Sequence, residues 1–308
     1  DTYKNYDATG PVTGPWAPYS TTTVGNGTNP TSTTIGPGTA TMLDSFTLQT
    51  SSSTDTVTDV TVTLLSGSSA GLSLIEITDD GGTTVYGSLP NPGDTAAISL
   101  TTNIIATTTQ TPYKVRITAK SHADMPVPQG STYTVTGTVT AVASTNTRIY
   151  NDTSSAIITI DNASPSNATW GTITPGDTQI TLNWTNPGAD FSGVVILRNT
   201  TSISDTPLEG TTYTAGDTIN ITNTVVYVGA GTTFTDTGLT NNTAYYYKIF
   251  AYDGFYNYAT GVGTAASYTP YVSTAVGNGA DFGFGVDGSL NTTANFNINT
   301  QTNGNAGR

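Results

Sequence analysis

The sequence predicts an all-β protein with two β-sandwiches in tandem and extended terminal segments that can form further strands. Lys and Arg total only 8 of 308 residues, whereas Thr, Gly, Ser and Asn are abundant, which disfavours long helices. Apolar and polar residues alternate in many short runs, the pattern of half-buried strands. The length fits about two domains of roughly 100–200 residues each. The 17 Tyr help to supply packed interiors and argue against a disordered chain.

Composition and charge exclude several classes of protein. Because the chain has no cysteine, it has no thiol catalysis, disulfide or cysteine-held zinc. The formal net charge of -13 repels phosphate groups, so we expect no nucleic-acid partner. No apolar run approaches the ~20 residues of a spanning helix, so we expect no membrane span. An acidic, cysteine-free chain rich in Thr and Asn is typical of exported bacterial surface proteins, which favours an extracellular location at the cell surface.

Residues 30–161 contain seven or eight runs of strand length, separated by turn sequences. Val57–Leu64 and Tyr133–Val139 alternate apolar residues with Thr, as expected of strands with one buried and one wet face. The other runs are Met42–Leu48, Leu72–Ile77, Ala97–Leu100, Tyr113–Ile117 and Ala156–Ile160. This number of short strands predicts a sandwich of immunoglobulin-like size.

Residues 162–269 carry a more specific pattern. Ile180, Leu182 and Trp184 alternate onto one face of a strand. Leu239 is followed by a turn and by the alternating run Tyr245–Ala251. Together these features resemble the fibronectin type III family, in which a Trp of the second strand is buried and Leu, a turn, Thr and Tyr lead into an alternating strand.

The resemblance implies roles for four residues. Trp184 would be the core indole, with Leu239 and Tyr247 packed in the same interior. Tyr245 would be the corner tyrosine whose hydroxyl bonds to the main chain. Asn241 stands where the family usually has Pro, and the Arg-Gly-Asp loop is absent, so integrin-type adhesion is not implied.

A ten-residue segment occurs twice, 252 positions apart. Residues 18–27 (PYSTTTVGNG) and 270–279 (PYVSTAVGNG) are identical at seven positions. Residues 5–10 also resemble 257–261, and Phe296–Thr300 resembles Phe46–Thr50. We therefore expect four regions: 1–29, an extension resembling a fibronectin III last strand plus linker; 30–161, an Ig-like sandwich; 162–269, a fibronectin III-like sandwich; and 270–308, an extension resembling the start of the next repeat.

The terminal regions thus have the sequence of sandwich strands without the rest of a sheet. Because an unpaired strand exposes its backbone groups, we expect these regions to be completed elsewhere. They either continue a tandem array or are exchanged between subunits in an open head-to-tail filament. Flexible Gly- and Asn-rich linkers are the third interpretation. The residues expected to contact a neighbouring subunit are Tyr3, Tyr6, Phe282, Phe284, Val286, Phe296 and Ile298.

We expect no enzymatic activity, because the residues of a catalytic site are scarce. His122 is the only histidine, and a loop position before Pro126 explains it better than a role as base or metal ligand. Glu76 follows a strand pattern and Glu209 lies in a turn, so neither resembles half of a glycosidase carboxylate pair.

Calcium is the one cofactor that the sequence suggests. Asp79 and Asp80 share a turn, Asp161 lies at the boundary between the predicted sandwiches, and Asp253 lies in a loop of the second. Extracellular β-domains often bind calcium through such carboxylates, but no regular calcium-binding spacing is present. Two interpretations stay open, namely calcium ligands and solvated turn residues.

These observations favour a non-enzymatic extracellular structural protein, the subunit of a filament, sheath or stalk whose partners are further copies of the chain. The alternatives are an adhesin or carbohydrate-binding module of a larger secreted protein, and an accessory region of a secreted hydrolase. Tyr246 and Tyr252, out of phase with the buried residues, would suit a sugar-binding or subunit-contact surface. Glycans are a further candidate, because sequons occur at Asn26, Asn151, Asn162, Asn167, Asn183, Asn199, Asn220, Asn241 and Asn291.

Overall fold

The computed structural model describes residues 19–126 and 131–272. Within these ranges the chain consists of strands joined by turns and loops, and its single helix is the four-residue 3₁₀ turn Ser68–Gly71. The prediction of an all-β fold is therefore confirmed.

The first sandwich is built from two sheets. Its strands are β1 (Thr21–Asn26), β2 (Thr33–Ile35), β3 (Ala40–Thr50), β4 (Asp55–Leu64), β5 (Leu72–Asp79), β6 (Val85–Pro90), β7 (Thr95–Ala106), β8 (Thr111–Ala119), β9 (Ser131–Val135), β10 (Gly137–Ala143), β11 (Thr147–Asn151) and β12 (Ile158–Asn162). Nine of them pair in the order β10-β4-β7-β6-β5-β8-β3-β1-β11, and the others form the sheet β2-β12-β9. One apolar core contains Val24, Phe46 and Ile98 from the large sheet and Val135 and Ile160 from the small one, so the two sheets pack on each other.

Strand β1 belongs to this sandwich, in contrast to the boundary expected at residue 30. It pairs with β3 and β11, and Val24 is fully buried in the core. The first sandwich therefore begins no later than residue 21. The sequence did not show this because Val24 is the only large apolar residue of β1, so the strand has no alternating pattern.

The run Tyr133–Val139, expected as one strand, forms parts of two strands in different sheets. Strand β9 pairs with β12, whereas β10 pairs with β4, so the chain passes from one sheet to the other at Thr136. A Cβ at Gly137 would lie 2.6 Å from Leu64 Cδ2, so glycine allows the close approach at this crossing. The alternation of side chains continues through the crossing, so periodicity alone does not reveal it.

The second sandwich contains β13 (Thr169–Trp170), β14 (Thr174–Gly176), β15 (Gln179–Thr185), β16 (Gly193–Asn199), β17 (Thr218–Ile219), β18 (Asn223–Gly229), β19 (Thr233–Thr237), β20 (Tyr246–Tyr252) and β21 (Val262–Gly263). Strands β13, β14 and β19 pair with β15, and the other sheet has the order β17-β18-β16-β20-β21. Residues of β16 are buried on both faces: Val194 and Ile196 pack with Trp184 in the main core, whereas Val195 and Leu197 pack in a smaller one. The uninterrupted apolar run Val194–Leu197 follows from this double burial.

Candidate functional site

The first candidate site is the position of β1. This strand is antiparallel to β3 on one side and parallel to β11 on the other. We call the space between Phe46–Thr50 of β3 and Thr147–Asn151 of β11 the β1 slot. Within the described ranges β11 pairs with no other strand, so the strand in the slot supplies all of its ladder hydrogen bonds.

Buried side chains hold β1 in the slot. Val24 is fully buried, and the Thr22 hydroxyl donates to Asp55 Oδ2 at 2.6 Å. Asn146 Nδ2 donates to Thr22 Oγ1 at 3.1 Å. Burial raises the pKa of Asp55, but hydrogen bonds from Thr22 and Thr145 outweigh this effect and lower the pKa to about 2. The carboxylate that accepts from β1 is therefore ionised at neutral pH.

The end of β1 is fixed by an amide side chain and a glycine. Asn26 Oδ1 accepts the Thr153 N–H at 2.8 Å, and Asn26 Nδ2 donates to Thr153 Oγ1 at 3.2 Å. A Cβ at Gly27 would lie 2.2 Å from Ser45 Oγ. A larger residue at position 27 would therefore require movement of β3.

The second candidate site is a group of three carboxylates, which we call the junction cluster: Asp161 in β12, Asp190 between β15 and β16, and Asp253 directly after β20. One carboxylate oxygen of each lies within 4.8 Å of the others. Burial and then the neighbouring Asp161 and Asp253 raise the pKa of Asp190. Burial, with a contribution from Asp161, raises the pKa of Asp253 although Asn257 and Phe255 donate to its carboxylate. The cluster concentrates negative charge and hard oxygen ligands at one point.

The junction cluster lies where the two sandwiches touch. Asn257 Nδ2 donates to the Asp161 carbonyl at 3.3 Å, and Asn257 Oδ1 lies 3.1 Å from His122 Nε2. Burial lowers the pKa of His122, so at neutral pH the uncharged ring donates from Nε2 to this amide oxygen. A Cβ at Gly36 of the first sandwich would lie 2.7 Å from Phe255 Cδ1 of the second. His122 therefore contributes to the contact between sandwiches.

Asp79 and Asp80, the other calcium candidates, lie elsewhere. Asp79 accepts the Thr83 N–H at 2.7 Å and its hydroxyl at 2.8 Å, which closes the turn after β5. Asp80 lies 3.1 Å from Lys114 Nζ. In the part of the chain that the structure describes, neither belongs to a group of three metal-binding side chains.

The residues singled out by the fibronectin III resemblance lie in the second core. Trp184, Leu239, Tyr245 and Tyr247 are buried. The Tyr245 hydroxyl accepts the Thr240 N–H at 3.1 Å, the main-chain contact that the resemblance implies. At the position of the usual Pro, Asn241 Nδ2 donates to Asp177 Oδ1 at 2.8 Å, and Asn241 Oδ1 accepts the Thr178 N–H at 2.9 Å. These two bonds hold the turn in the absence of Pro.

Glu76 and Glu209 have structural partners. Glu76 Oε2 accepts from Arg116 Nε at 2.7 Å, and Glu209 Oε2 accepts the Tyr258 N–H at 2.9 Å.

Tyr246 and Tyr252 are half-buried, in contrast to the exposed surface considered from the sequence. Tyr252 stacks on Tyr256 with ring centroids 5.6 Å apart. Among the sequons, Asn162 is buried in the folded state, so it is not accessible to a glycan.

A cleft of about 510 Å³ lies beside the loop that precedes β17. Polar and apolar side chains both line it, among them Asp205, Leu208, Tyr213 and Asn220. Leu208 is largely exposed at its rim. Nothing in the sequence pattern marks this cleft, because its residues come from an irregular loop, the two-residue strand β17 and the residue after it.

The proposed subunit contacts Tyr3, Tyr6, Phe282, Phe284, Val286, Phe296 and Ile298 lie outside the described residues. Within the described ranges no helix has the length and apolar character needed to cross a bilayer.

The sequence matches no family model and no curated protein. Solved structures that match the chain include the FN1–FN3 domains of chicken CNTN1, at 10% identity and a TM-score of 0.31, covering 80% of this chain and 68% of that one. A segment of two fibronectin type III domains from chicken tenascin is 11% identical, with a TM-score of 0.26 and coverage of 76% and 98%. A β-1,2-glucanase from Parabacteroides distasonis is 15% identical, with a TM-score of 0.26 over 83% of this chain. The chain spans 37% of the length of that glucanase.

Proposed function

We propose that this chain is a non-enzymatic structural protein of the bacterial cell surface whose subunits assemble head to tail by exchanging strands. In this assembly, residues 270–279 of one subunit fill the β1 slot of the next. The observation that carries the proposal is the recurrence, at 270–279, of the β1 residues that make specific contacts in the slot.

The two segments differ at three positions that are half-buried in the first sandwich, two of them in β1 and one directly before it. Five residues that contact the slot are retained, and the corresponding pairs are Thr22 and Thr274, Val24 and Val276, Gly25 and Gly277, Asn26 and Asn278, and Gly27 and Gly279. Ser20, whose hydroxyl donates to the Ser52 carbonyl at 2.9 Å and accepts from Asn146 Nδ2 at 3.0 Å, is replaced by Val272. The differing positions are Ser20, Thr21 and Thr23, where the second segment has Val272, Ser273 and Ala275. A strand with the second sequence therefore retains the bond to Asp55, the buried valine and the glycine that fits against Ser45.

A segment that makes the same contacts as β1 competes for the slot at little cost in free energy, which is the condition for exchange of an element between subunits. The slot belongs to the first sandwich, whereas the donor segment follows the second. The contact between two subunits is therefore heterologous, and repetition of it gives an open filament unless the rotation closes a ring.

The test is the substitution Val276→Asp. We expect it to abolish filaments, because a charge in place of the buried valine would be desolvated in the slot without a partner. The first sandwich should remain folded, because its own β1 is unchanged.

Val272→Asp is the matched control, since the corresponding Ser20 is half-buried in the first sandwich and its hydroxyl accepts from Asn146 Nδ2, a bond that a carboxylate can also accept. This variant should assemble like the unaltered chain. Negative-stain electron microscopy and sedimentation measure assembly. Filaments of Val276→Asp that equal those of Val272→Asp would contradict strand exchange.

The cleft beside β17 favours a second candidate function, recognition of a carbohydrate. Its mixture of amide, carboxylate, tyrosine and leucine side chains suits a sugar, which presents both hydroxyl groups and apolar faces. Saturable binding of one glycan class by monomers on an array, lost in Leu208→Arg, would support this function. Binding that is unchanged in Leu208→Arg would exclude the cleft as its site.

A further inference from the structure

Two carboxyl groups are buried side by side at the end of the β1 slot. Asp44, on β3, is fully buried, and Asp152, the residue after β11, is 8% exposed. Their side chains lie within hydrogen-bonding reach of each other. Asp152 Oδ2 also accepts the Val139 N–H of β10 at 2.6 Å.

The other three oxygens of this pair receive no hydrogen bond from an N–H or O–H group in the described ranges. The nearby Ser45 N–H favours the ionised form of Asp44, but its hydrogen bond is made to Asn29 Oδ1 at 3.1 Å. Two ionised carboxylates in contact within a core repel each other, and buried acceptors without donors lower stability further. One proton between the two groups relieves the repulsion and supplies the missing donor.

We propose that Asp44 and Asp152 share a proton that keeps β1 bound in the β1 slot, and that loss of this proton releases β1. The residues that follow the two carboxyl groups lie at the Asn26 end of β1. Thr153, next to Asp152, exchanges two hydrogen bonds with Asn26. Repulsion between the carboxylates therefore acts on the contacts that fix this end of the strand.

Asn29 forms hydrogen bonds with the segments on both sides of the slot. Its Oδ1 accepts the Ser45 N–H, and its Nδ2 donates to the Ser154 carbonyl at 2.8 Å. Ser45 follows Asp44 and Ser154 lies two residues after Asp152. Asn29 therefore bridges the two segments that the shared proton holds together, and separation of the pair disrupts this bridge.

The charged groups near the pair do not neutralise its carboxylates in place of the shared proton. Lys114, on β8, favours the ionised form of Asp44, but its Nζ lies 3.1 Å from Asp80 Oδ1 and 3.2 Å from the Thr28 carbonyl oxygen. Arg116, also on β8, is paired with Glu76. Burial raises the pKa of Tyr113, the third titratable residue of β8, so its phenol is neutral at physiological pH. In the described parts of β1 and β10 no residue is titratable.

The pH dependence follows from the geometry. Burial, and then the Asp152 charge, raises the pKa of Asp44 from 3.8 to about 8. While β1 occupies the slot, the carboxyl pair keeps its proton up to about pH 8. Once β1 has left, Asp44 ionises near pH 3.8. The stabilisation is complete below pH 3.8, is lost as the pH rises towards 8, and changes no further above it. The equilibrium constant for release of β1 should increase about tenfold per pH unit within this window. Faster strand exchange above neutral pH is a consequence that rests on the proposed function.

The test uses a buried thiol as a reporter, since the chain has no cysteine. Val24→Cys places a thiol in the slot that reacts with a pyridyl disulfide when β1 leaves. The labelling rate is measured with Asp44 intact and with Asp44→Asn, whose amide donates to Asp152 without a titrating proton. The ratio of the two rates cancels the intrinsic pH dependence of the thiol. Val60→Cys, fully buried in β4, reports opening of the whole sandwich.

We expect the rate ratio for Val24→Cys to rise about tenfold per pH unit between pH 5 and 7.5 and to level off above 8. The ratio for Val60→Cys should stay flat. Equal pH slopes with and without Asp44→Asn would overturn the proposal, as would equal rises at both reporters. Suppression of the rise by calcium would also overturn it, since a cation would then bridge the pair. Labelling is measured on dilute monomers, so a failure to form filaments leaves this result unaffected.

Discussion

Asp236 joins three strands of the second sandwich through one buried carboxylate. It accepts a hydrogen bond from the Tyr247 hydroxyl at 2.8 Å and from Arg198 Nη1 at 2.9 and 3.0 Å. The Arg198 guanidinium also lies 5.6 Å from the centre of the Tyr245 ring. Loss of the Asp236 charge would leave a half-buried cation without its counterion and only one acceptor oxygen for Arg198 and the buried Tyr247 phenol.

We predict that Asp236→Asn lowers the free energy of unfolding of the second sandwich by about 2 kcal/mol. This is less than the loss of a fully buried ion pair, because the Arg198 side chain is 26% exposed. Tyr245→Phe, which removes only the bond to Thr240, should lower it by about 1 kcal/mol. Urea unfolding followed by tryptophan fluorescence, to which Trp170 and Trp184 of the second sandwich contribute, measures both. A larger loss of unfolding free energy in Tyr245→Phe than in Asp236→Asn would contradict this account.

Residues with a local pattern could be identified from the sequence, and residues with distant partners could not. Trp184 belongs to an alternating run that predicts one buried face, and the resemblance to the fibronectin type III family implies the roles of Trp184 and Tyr245. Asp236 was missed because Arg198, its partner, is 38 residues away and leaves no local signal. Asp44 had one available signal, a charged residue within the apolar run Met42–Leu48, which marks a buried polar group when the strand lies in a core.

At the scale of the elements, the junction between the sandwiches brings together three segments that each carry an aspartate. The sequence indicated Asp161 and Asp253 separately, but not that Asp190 joins them. Asp190 lies in a loop whose path is set by the strands on either side, so its proximity to Asp253 is a consequence of tertiary structure. The calcium interpretation therefore concerns three carboxylates rather than two separate turns.

We predict that Asp190→Asn stabilises the chain at pH 7 in calcium-free buffer. The raised pKa values of Asp190 and Asp253 mean that stability is lost as the pH rises above their ordinary value, and the amide removes one repelling charge. The gain should disappear at acidic pH, where the carboxyl groups are protonated.

Thermal unfolding between pH 3 and 8 measures the effect of Asp190→Asn, with Asp80→Asn as a surface control. A destabilised variant in the absence of calcium would contradict the repulsion. A calcium-dependent rise of the midpoint in the unaltered chain, absent from Asp190→Asn, would identify the cluster as calcium ligands.

Most long strands could be predicted and short or crossing ones could not. Val57–Leu64 lies within β4 and Tyr113–Ile117 within β8, since each has a regular buried face. Strand β11 was missed because all five of its residues are exposed and, among the described strands, it pairs with β1 alone. Its existence depends on the strand in the slot, which no local pattern encodes.

For the whole molecule, the sequence repeat acquires a physical meaning only through the position of β1. The repeat itself is visible in the sequence, yet residues 18–27 resemble a Gly- and Asn-rich linker as much as a strand. The structure places Thr21–Asn26 in the large sheet of the first sandwich with Thr22 and Val24 buried, and residues 270–279 have a threonine and a valine at the corresponding positions. The sandwiches touch through His122, Asn257 and Phe255, so the β1 slot has a defined position relative to the second sandwich.

The most direct test of strand exchange is a disulfide between the donor and the slot. Thr23 of β1 lies opposite Gln49 of β3, and Ala275 corresponds to Thr23. In a chain that carries Ala275→Cys and Gln49→Cys, we predict that oxidation gives a ladder of covalent oligomers on a denaturing gel. The control pair Thr23→Cys and Gln49→Cys should give a disulfide within one chain. Monomers alone from the first variant, under conditions that cross-link the control, would contradict the account.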